Sequence, residues 1–267
     1  TLTEAMACNS GIIDKMGSID DGSTISDYRE HEIQYQHSIS LTLLNLEWQE
    51  KKINILDAPG YLDFHGEVKS AMRVADLAGI VLSATDGIDI GTELCTTYAD
   101  KDYKIPKLFI INMADKDQAD FDSVLAALQE RYGRIVFPFT IPVNPGPGFN
   151  QVADVLRKET FTFKTDGSGN YSGVEPEGDW GQNLDDLHNE LIELIAESDE
   201  SLMEIFFDKG ELSEDELRSG LHQALKSSGL IPVFCVAGES NIGVKRMMDI
   251  MAKYAPCAGD FEEVVGT

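Results

Sequence analysis

Basic residues are scarce in this sequence. Of 267 residues, 21 are Lys or Arg against 47 Asp or Glu, a formal charge of −26 at neutral pH. By themselves these residues do not supply the counterion-releasing surface that a nucleic-acid backbone needs, and a basic protein partner fits the charge better. Cysteine is equally thin: Cys8, Cys95, Cys235 and Cys257 lie far apart, with no C-x-x-C and no histidine at ligand spacing. Neither a zinc site nor a disulfide framework is indicated, and a reducing, cytoplasmic setting is the expectation. No apolar run approaches the roughly 18 residues that cross a bilayer, so no membrane association is expected. Internal repeats and low-complexity tracts are also lacking.

The remaining composition is that of an ordinary globular chain, 42% hydrophobic and 25% charged, long enough for one or two compact units with a true core. It opens without Met inside Thr1 to Cys8, a run of helix formers that stops before Asn9-Ser10-Gly11, so an upstream segment is expected. Met16 to Gln36 is polar, rich in Gly, Ser and Asp and without sustained period, which predicts a long, mobile surface loop of the kind that carries function. Alternation from Ser38 to Trp48, a polar turn, and Lys52 to Leu56 predict a hairpin.

Apolar strand runs at Gly79 to Ala84, Lys107 to Asn112 and Pro232 to Ala237 alternate with helical periods at His65 to Ala78, Ala119 to Tyr132 and Val244 to Tyr254. Strands alternating with helices predict an α/β fold around a parallel sheet. The stretch between the second and third strand runs exceeds one crossover helix, so an inserted subdomain is expected. Within it, Val136 to Pro142 and Glu159 to Lys164 read as strands. A helix from about Asn183 to Phe206 follows, and another begins at the Ser213/Glu216 capping box and ends near Gly229.

The chemistry concentrates at strand ends. Ile53-Asn54-Ile55-Leu56-Asp57-Ala58-Pro59-Gly60 delivers an Asp to the carboxyl end of a strand, where ligands of open α/β sheets sit. An Asp there suits water-mediated Mg²⁺ binding, and the Gly amide suits close approach of a phosphate. Asp-x-Pro-Gly is also plain turn chemistry. Ile110-Ile111-Asn112-Met113-Ala114-Asp115 is a second strand ending in polar groups. An Asp carboxylate accepts both N–H groups on the edge of guanine but meets a lone pair on adenine. Asn112 is placed to tie neighbouring loops, and an ordinary turn cap remains the alternative.

In order and spacing, the helix remnant, the polar loop with Ser38, D-A-P-G at Asp57, N-M-A-D at Asn112 and the strand leading to Val236-Ala237-Gly238 resemble the GTP-binding domain of translational GTPases. The similarity is greatest to the elongation factor G family. It extends through Asp57 to Phe64, Gly87 to Glu93, and Ala196 to Glu204. The resemblance implies a doubly wound P-loop GTPase fold of class α/β, comprising residues 1–138 with 230–256. A small α+β subdomain at 139–229 is inserted in it, and 257–267 links onward to a next domain. It implies GTP or GDP and Mg²⁺ as ligands. Asp57, Gly60, Asn112, Met113, Asp115, Ala237 and Gly238 are then the nucleotide-binding residues, and Ser38 and Asp57 the metal-binding ones.

Several positions depart from the family pattern. No G-x-x-x-x-G-K-[ST] loop occurs in these residues, so by themselves they are expected to bind nucleotide weakly. The family's water-positioning His is replaced by Tyr61, the catalytic position here. A phenol with a pKa of about 10 cannot take an imidazole's protonation role, so weak hydrolysis is implied. His37, which replaces an apolar residue before the Thr that is here Ser38, and His65 are alternative imidazoles. The ordinary reading of both is solvation. Met113 replaces a Lys, which removes a charge beside the base, and Ala237-Gly238 replaces a Ser-Ala pair while keeping a backbone donor.

Between Glu175 and Glu216 there are 16 acids and, among Lys and Arg, only Lys209. Asp186, Glu190, Glu193, Glu197 and Glu200 recur at helical spacing as one stripe, with Leu184, Leu187, Leu191, Leu194 and Ile195 facing inward. The stripe reads either as a solvated face or as a docking surface. The resemblance implies docking to the basic domain of a ribosomal stalk protein, with RNA contacts made mainly by domains outside these residues. The function implied is ribosomal translocation during translation elongation. Two rivals stay open: a normally hydrolysing GTPase in which another group orients water, and a nucleotide-free ribosome-interaction module.

Overall fold

A computed structural model describes residues 1–176, 178–209 and 212–261; the side chains of Glu200, Phe207 and Lys209 lie outside that description. Helix α1 (Leu2–Asn9) opens the chain, and a short helix α2 (Glu30–Tyr35) sits late in the polar segment. Strands β1 (Thr42–Trp48) and β2 (Lys51–Asp57) form an antiparallel hairpin with Thr42 opposite Asp57. Gln49 and Glu50 join them with φ of 47° and 61°, the left-handed pair that a two-residue hairpin turn requires.

Then come α3 (His65–Met72), β3 (Ala78–Ser83), α4 (Ile90–Thr97), β4 (Lys107–Asn112), α5 (Phe121–Tyr132) and β5 (Val136–Pro138). Strands β6 (Thr140–Pro142), β7 (Gln151–Asp154), β8 (Glu159–Phe163) and β9 (Tyr171–Val174) follow, succeeded by α6 (Trp180–Glu197), α7 (Glu200–Lys209) and α8 (Glu214–Lys226). Strand β10 (Ile231–Cys235) and α9 (Val244–Tyr254) complete the main elements.

Two four-stranded sheets result. One is parallel, in the order β3-β4-β10-β5, and the other antiparallel, in the order β6-β7-β8-β9. Every residue of β10 and all of β4 except Asn112 are buried, which explains their unbroken apolar runs. Met247 and Met248, with 1% and 0% exposure, pack into this core from α9.

Four expectations are corrected. The run Val136 to Pro142 is not one strand: Val136–Pro138 pairs with β10, whereas Thr140–Pro142 pairs with β7, so the chain changes sheet at buried Phe139. The helix expected over Asn183 to Phe206 is two helices. The Asp199 carboxylate accepts the Ser201 and Leu202 N–H groups at 2.8 and 3.2 Å, so it caps a new helix where the old one ends. Glu200 therefore does not share a helix with Asp186, Glu190, Glu193 and Glu197. Helix α3 stops at Met72 and Val74 is exposed, so the apolar period does not carry through to Ala78. Strand β1 starts at Thr42 rather than Ser38, because the Ile39, Ser40 and Leu41 N–H groups donate to Glu32 and Glu67 instead of to a strand. Helix α4, capped by Asp89, and strands β7 and β9 had no distinct sequence signal. Of the expected linker at 257–267, residues 262–267 lie outside the described part.

Polar contacts lock the antiparallel sheet to the rest. Arg246 of α9 and Asp154 of β7, with side chains 5% and 0% exposed, form an ion pair. Beside them Asp249 accepts the Tyr171 hydroxyl at 2.6 Å, the Trp48 indole N–H at 3.0 Å and the Gln49 amide at 2.6 Å. Burial, and then the bond to Asp249, push the Tyr171 phenol up to about 12. One carboxylate on α9 thus joins the hairpin tip to the second sheet. Arg246→Ala would leave the Asp154 carboxylate buried and unpaired, and we expect a loss of about 3 kcal/mol in unfolding free energy by chemical denaturation.

Candidate functional site

The carboxyl ends of β3 and β4 lie side by side, with Ser83 opposite Asn112. The loop after β10 folds back against them. The Gly238 N–H donates to Asn112 Oδ1 at 2.8 Å, and the Ser240 hydroxyl donates to Asp115 Oδ2 at 2.8 Å. Asn112 therefore does tie the two loops together. A Cβ on Gly238 would come within 3.3 Å of the Leu2 Cα and 3.4 Å of Asn112 Oδ1, so this close approach suits glycine. Met113, at φ 66°, holds the turn between Asn112 and Asp115 and is 40% exposed.

Near the α1 N-terminus, Asp57 ends β2, with the hydroxyls of Thr3 and Ser26 in its vicinity. Burial raises its pKa above the usual carboxylate value, the two hydroxyls oppose the rise, and nearby Asp27 adds to it. Asp57 borders a cavity of about 730 Å³ whose lining also includes Thr1, Asp27, Ser38, Gly60 and Tyr61. A Cβ on Gly60 would meet no protein atom within 4 Å, so the space beside it is open. The structure thus places Asp57, Ser38, Gly60 and Tyr61 around one cavity. It joins Asn112, Asp115 and Gly238 in an adjoining cluster, and Leu2, next to Thr1 of the cavity, touches that cluster.

The cavity's oxygen donors suit a hard cation. Among the described residues no three His, Cys, Asp or Glu form a metal cage, and Mg²⁺ is ordinarily held by one or two protein oxygens together with water and phosphates. Asp57 and Ser38 fit that demand. The Ser38 hydroxyl here donates to Asp27 Oδ1 at 2.6 Å.

The profile described as "Elongation factor Tu GTP binding domain" matches residues 1–257. The chain belongs to this family. It is also similar to the crystal structure of ttk003000868 from Thermus thermophilus, with a TM-score of 0.89 and 27% identity. That match covers 96% of this chain but 38% of the Thermus chain. The fold is the α/β P-loop GTPase type, here with an inserted subdomain.

In this elongation factor Tu-type domain the segment between α1 and β1 is the long polar loop its composition predicted, interrupted by α2 and tied down by carboxylates. Glu4, 1% exposed, accepts the Gly17 and Ile25 N–H groups at 2.8 and 3.0 Å. Glu32, fully buried, accepts those of Ile39 and Ser40 at 3.0 Å each, and Glu67 accepts that of Leu41 at 2.7 Å. These carboxylates, with Ser26, Asp27 and Ser240, are the site residues that the sequence did not reveal. They stand in non-periodic stretches, and their partners are backbone groups that leave no mark in residue type.

Burial alone would push the Glu32 pKa up, but the N–H groups of Ser40, Ile39 and Arg29 prevail and lower it. A lowered carboxyl contributes stability above its unfolded pKa and loses that contribution as pH falls through the folded value. Amide protection at Ile39 and Ser40, corrected for intrinsic exchange, should therefore decline on acidification below the ordinary carboxylate range. In Glu32→Gln both amides should exchange roughly tenfold faster or more at neutral pH by hydrogen-exchange mass spectrometry.

Proposed function

We propose that this chain is the guanine-nucleotide domain of an elongation factor G-like protein that acts on the ribosome during translocation, in the cytoplasm. The observation that carries this reading is the clamp of Gly238 on Asn112. It sets Asp115 at the carboxyl rim of the sheet, while Asp57 lines the cavity that Thr1, the residue before α1, also lines. In this reading Asp115 accepts the two N–H groups of the guanine edge. Asn112 holds the loops and the stem of Met113 lies on the purine face, whereas the backbone donor expected from Ala237-Gly238 is already taken, because the Ala237 N–H donates to the Ile242 carbonyl at 2.9 Å and that of Gly238 to Asn112.

Asp57 and Ser38 would hold Mg²⁺, which when bound would neutralise phosphate charge. Gly60 offers its amide to the terminal phosphate. Tyr61 stands where the family has His, and a phenol cannot take over the protonation role of that imidazole, so hydrolysis that relied on Tyr61 would be weak. Residues 1–138 with 230–256 form the nucleotide unit, and 139–229 the inserted one.

The insertion is read as the partner-facing part. Asp186, Glu190 and Glu193 are exposed on α6, which suits a basic ribosomal stalk protein. Glu197 on the same helix is paired with Arg134, and Glu200 begins the next helix, so the docking stripe centres on the first three.

Calorimetry on the full-length polypeptide tests the nucleotide reading. GTP and GDP should bind with Mg²⁺ dependence and ATP at least about a hundredfold more weakly, because adenine leaves Asp115 facing a lone pair. Asp115→Asn should erase most of that preference. Equal affinity for adenine and guanine nucleotides in the unaltered protein would refute the role of Asp115.

A further inference from the structure

The cavity beside Asp57 contains an imidazole as well as a phenol. His37 and Tyr61 both line it, and their ring centroids are 4.5 Å apart. His37 also lies 6.0 Å from the Phe64 ring and 6.1 Å from the Tyr35 ring, so three aromatic groups surround it. Gln36, at φ 58°, ends α2 in the left-handed conformation, and His37 follows directly from that reversal. Tyr61 is 59% exposed, whereas His37 is half-buried in this cluster.

The His37 Nδ1 lies 3.1 Å from the Ser38 carbonyl oxygen. A carbonyl oxygen only accepts, so this contact is a hydrogen bond when the proton is on Nδ1, and the neutral ring then has its lone pair on Nε2. The other candidate imidazole, His65, is placed differently. It is buried, packs edge-on to Tyr98 at 5.9 Å, and is not among the cavity's lining residues.

We propose that His37, packed on Tyr61 beside Ser38, Asp57 and Gly60, is the group that orients the attacking water in GTP hydrolysis. The proposal rests on the nucleotide reading above. His37 Nε2 accepts a hydrogen bond from the water, and the Tyr61 ring serves as the platform that holds the imidazole over the cavity. The water oxygen forms a bond to the γ phosphorus while the bond from that phosphorus to the β–γ bridging oxygen breaks. One proton of the water stays on the released phosphate and the other passes to solvent, leaving GDP. Relative to the family pattern the imidazole has thereby moved from the loop after β2 to the loop before β1, and a phenol stands in the place it left.

The test is single-turnover GTP hydrolysis by the full-length polypeptide with ribosomes supplied, alongside calorimetric GTP affinity for each variant. His37→Ala should hydrolyse at least about tenfold more slowly while binding GTP within about twofold of the unaltered protein. Free imidazole in the buffer should restore part of the rate to His37→Ala and leave the unaltered protein unaffected, a response that a purely structural role does not produce. If His37→Ala does not fold, His37→Phe, which keeps a ring on Tyr61 but has no hydrogen-bonding group, serves in its place, and a rate equal to that of the unaltered protein in either variant overturns the proposal. So does a tenfold fall in Tyr61→Phe with no loss in His37→Ala. An unaltered protein that binds GTP but does not hydrolyse it overturns the role of His37 and leaves the nucleotide reading standing. One that binds no guanine nucleotide overturns both.

Discussion

Burying a carboxylate is unfavourable unless donors meet it, and backbone N–H groups in a polar loop go unmet unless acceptors are found. Between α1 and β1 these two demands satisfy each other. Ile13, Met16 and Ile25 of the segment pack partly against the core, and its course is further fixed by Glu4, Glu32 and Glu67 reaching main-chain amides. The positions of Ser26, Asp27, His37 and Ser38 around the cavity all depend on that exchange. Gly17 shows how close the packing is, since a Cβ there would come within 2.3 Å of the Ser23 carbonyl oxygen.

Much of the fold was legible because it follows from local pattern. Buried parallel strands need unbroken apolar runs, and β4 and β10 were found by them. Alternation identified the β1–β2 hairpin even though its turn is Gln49-Glu50 rather than an Asn-Gly pair. The misreadings share one physical cause, which is that a boundary between packed units leaves the local pattern uninterrupted. Val136 to Pro142 is apolar on both sides of Phe139, so nothing in residue type marks the change of sheet. Between α6 and α7 the pattern runs on through Ser198 and Asp199, and only the capping bonds of Asp199 reveal the break.

The candidate site divides the same way. Asp57, Asn112 and Gly238 stand at strand ends, where a chain-order reading finds them, and the structure places Asn112 against Gly238. Ser240 was missed because its role is a relation to a loop far away in sequence, and Asp27 because its bond to Ser38 spans eleven residues of a segment without period. The packing of His37 on Tyr61 likewise joins two loops across the hairpin, so each residue alone looked like an unrelated substitution. Glu197, counted in an acidic stripe, meets Arg134 from outside the helix, a pairing that spacing along one helix does not disclose.

The Asp249 carboxylate gathers donors from a hairpin turn and from a strand of the second sheet while itself standing on the last helix. The same hairpin carries Asp57 at its opposite end, one strand length away. Through Asp249 the far end of that strand pair is fastened to both the last helix and the antiparallel sheet, so the strand that delivers Asp57 is moored at the end away from the cavity.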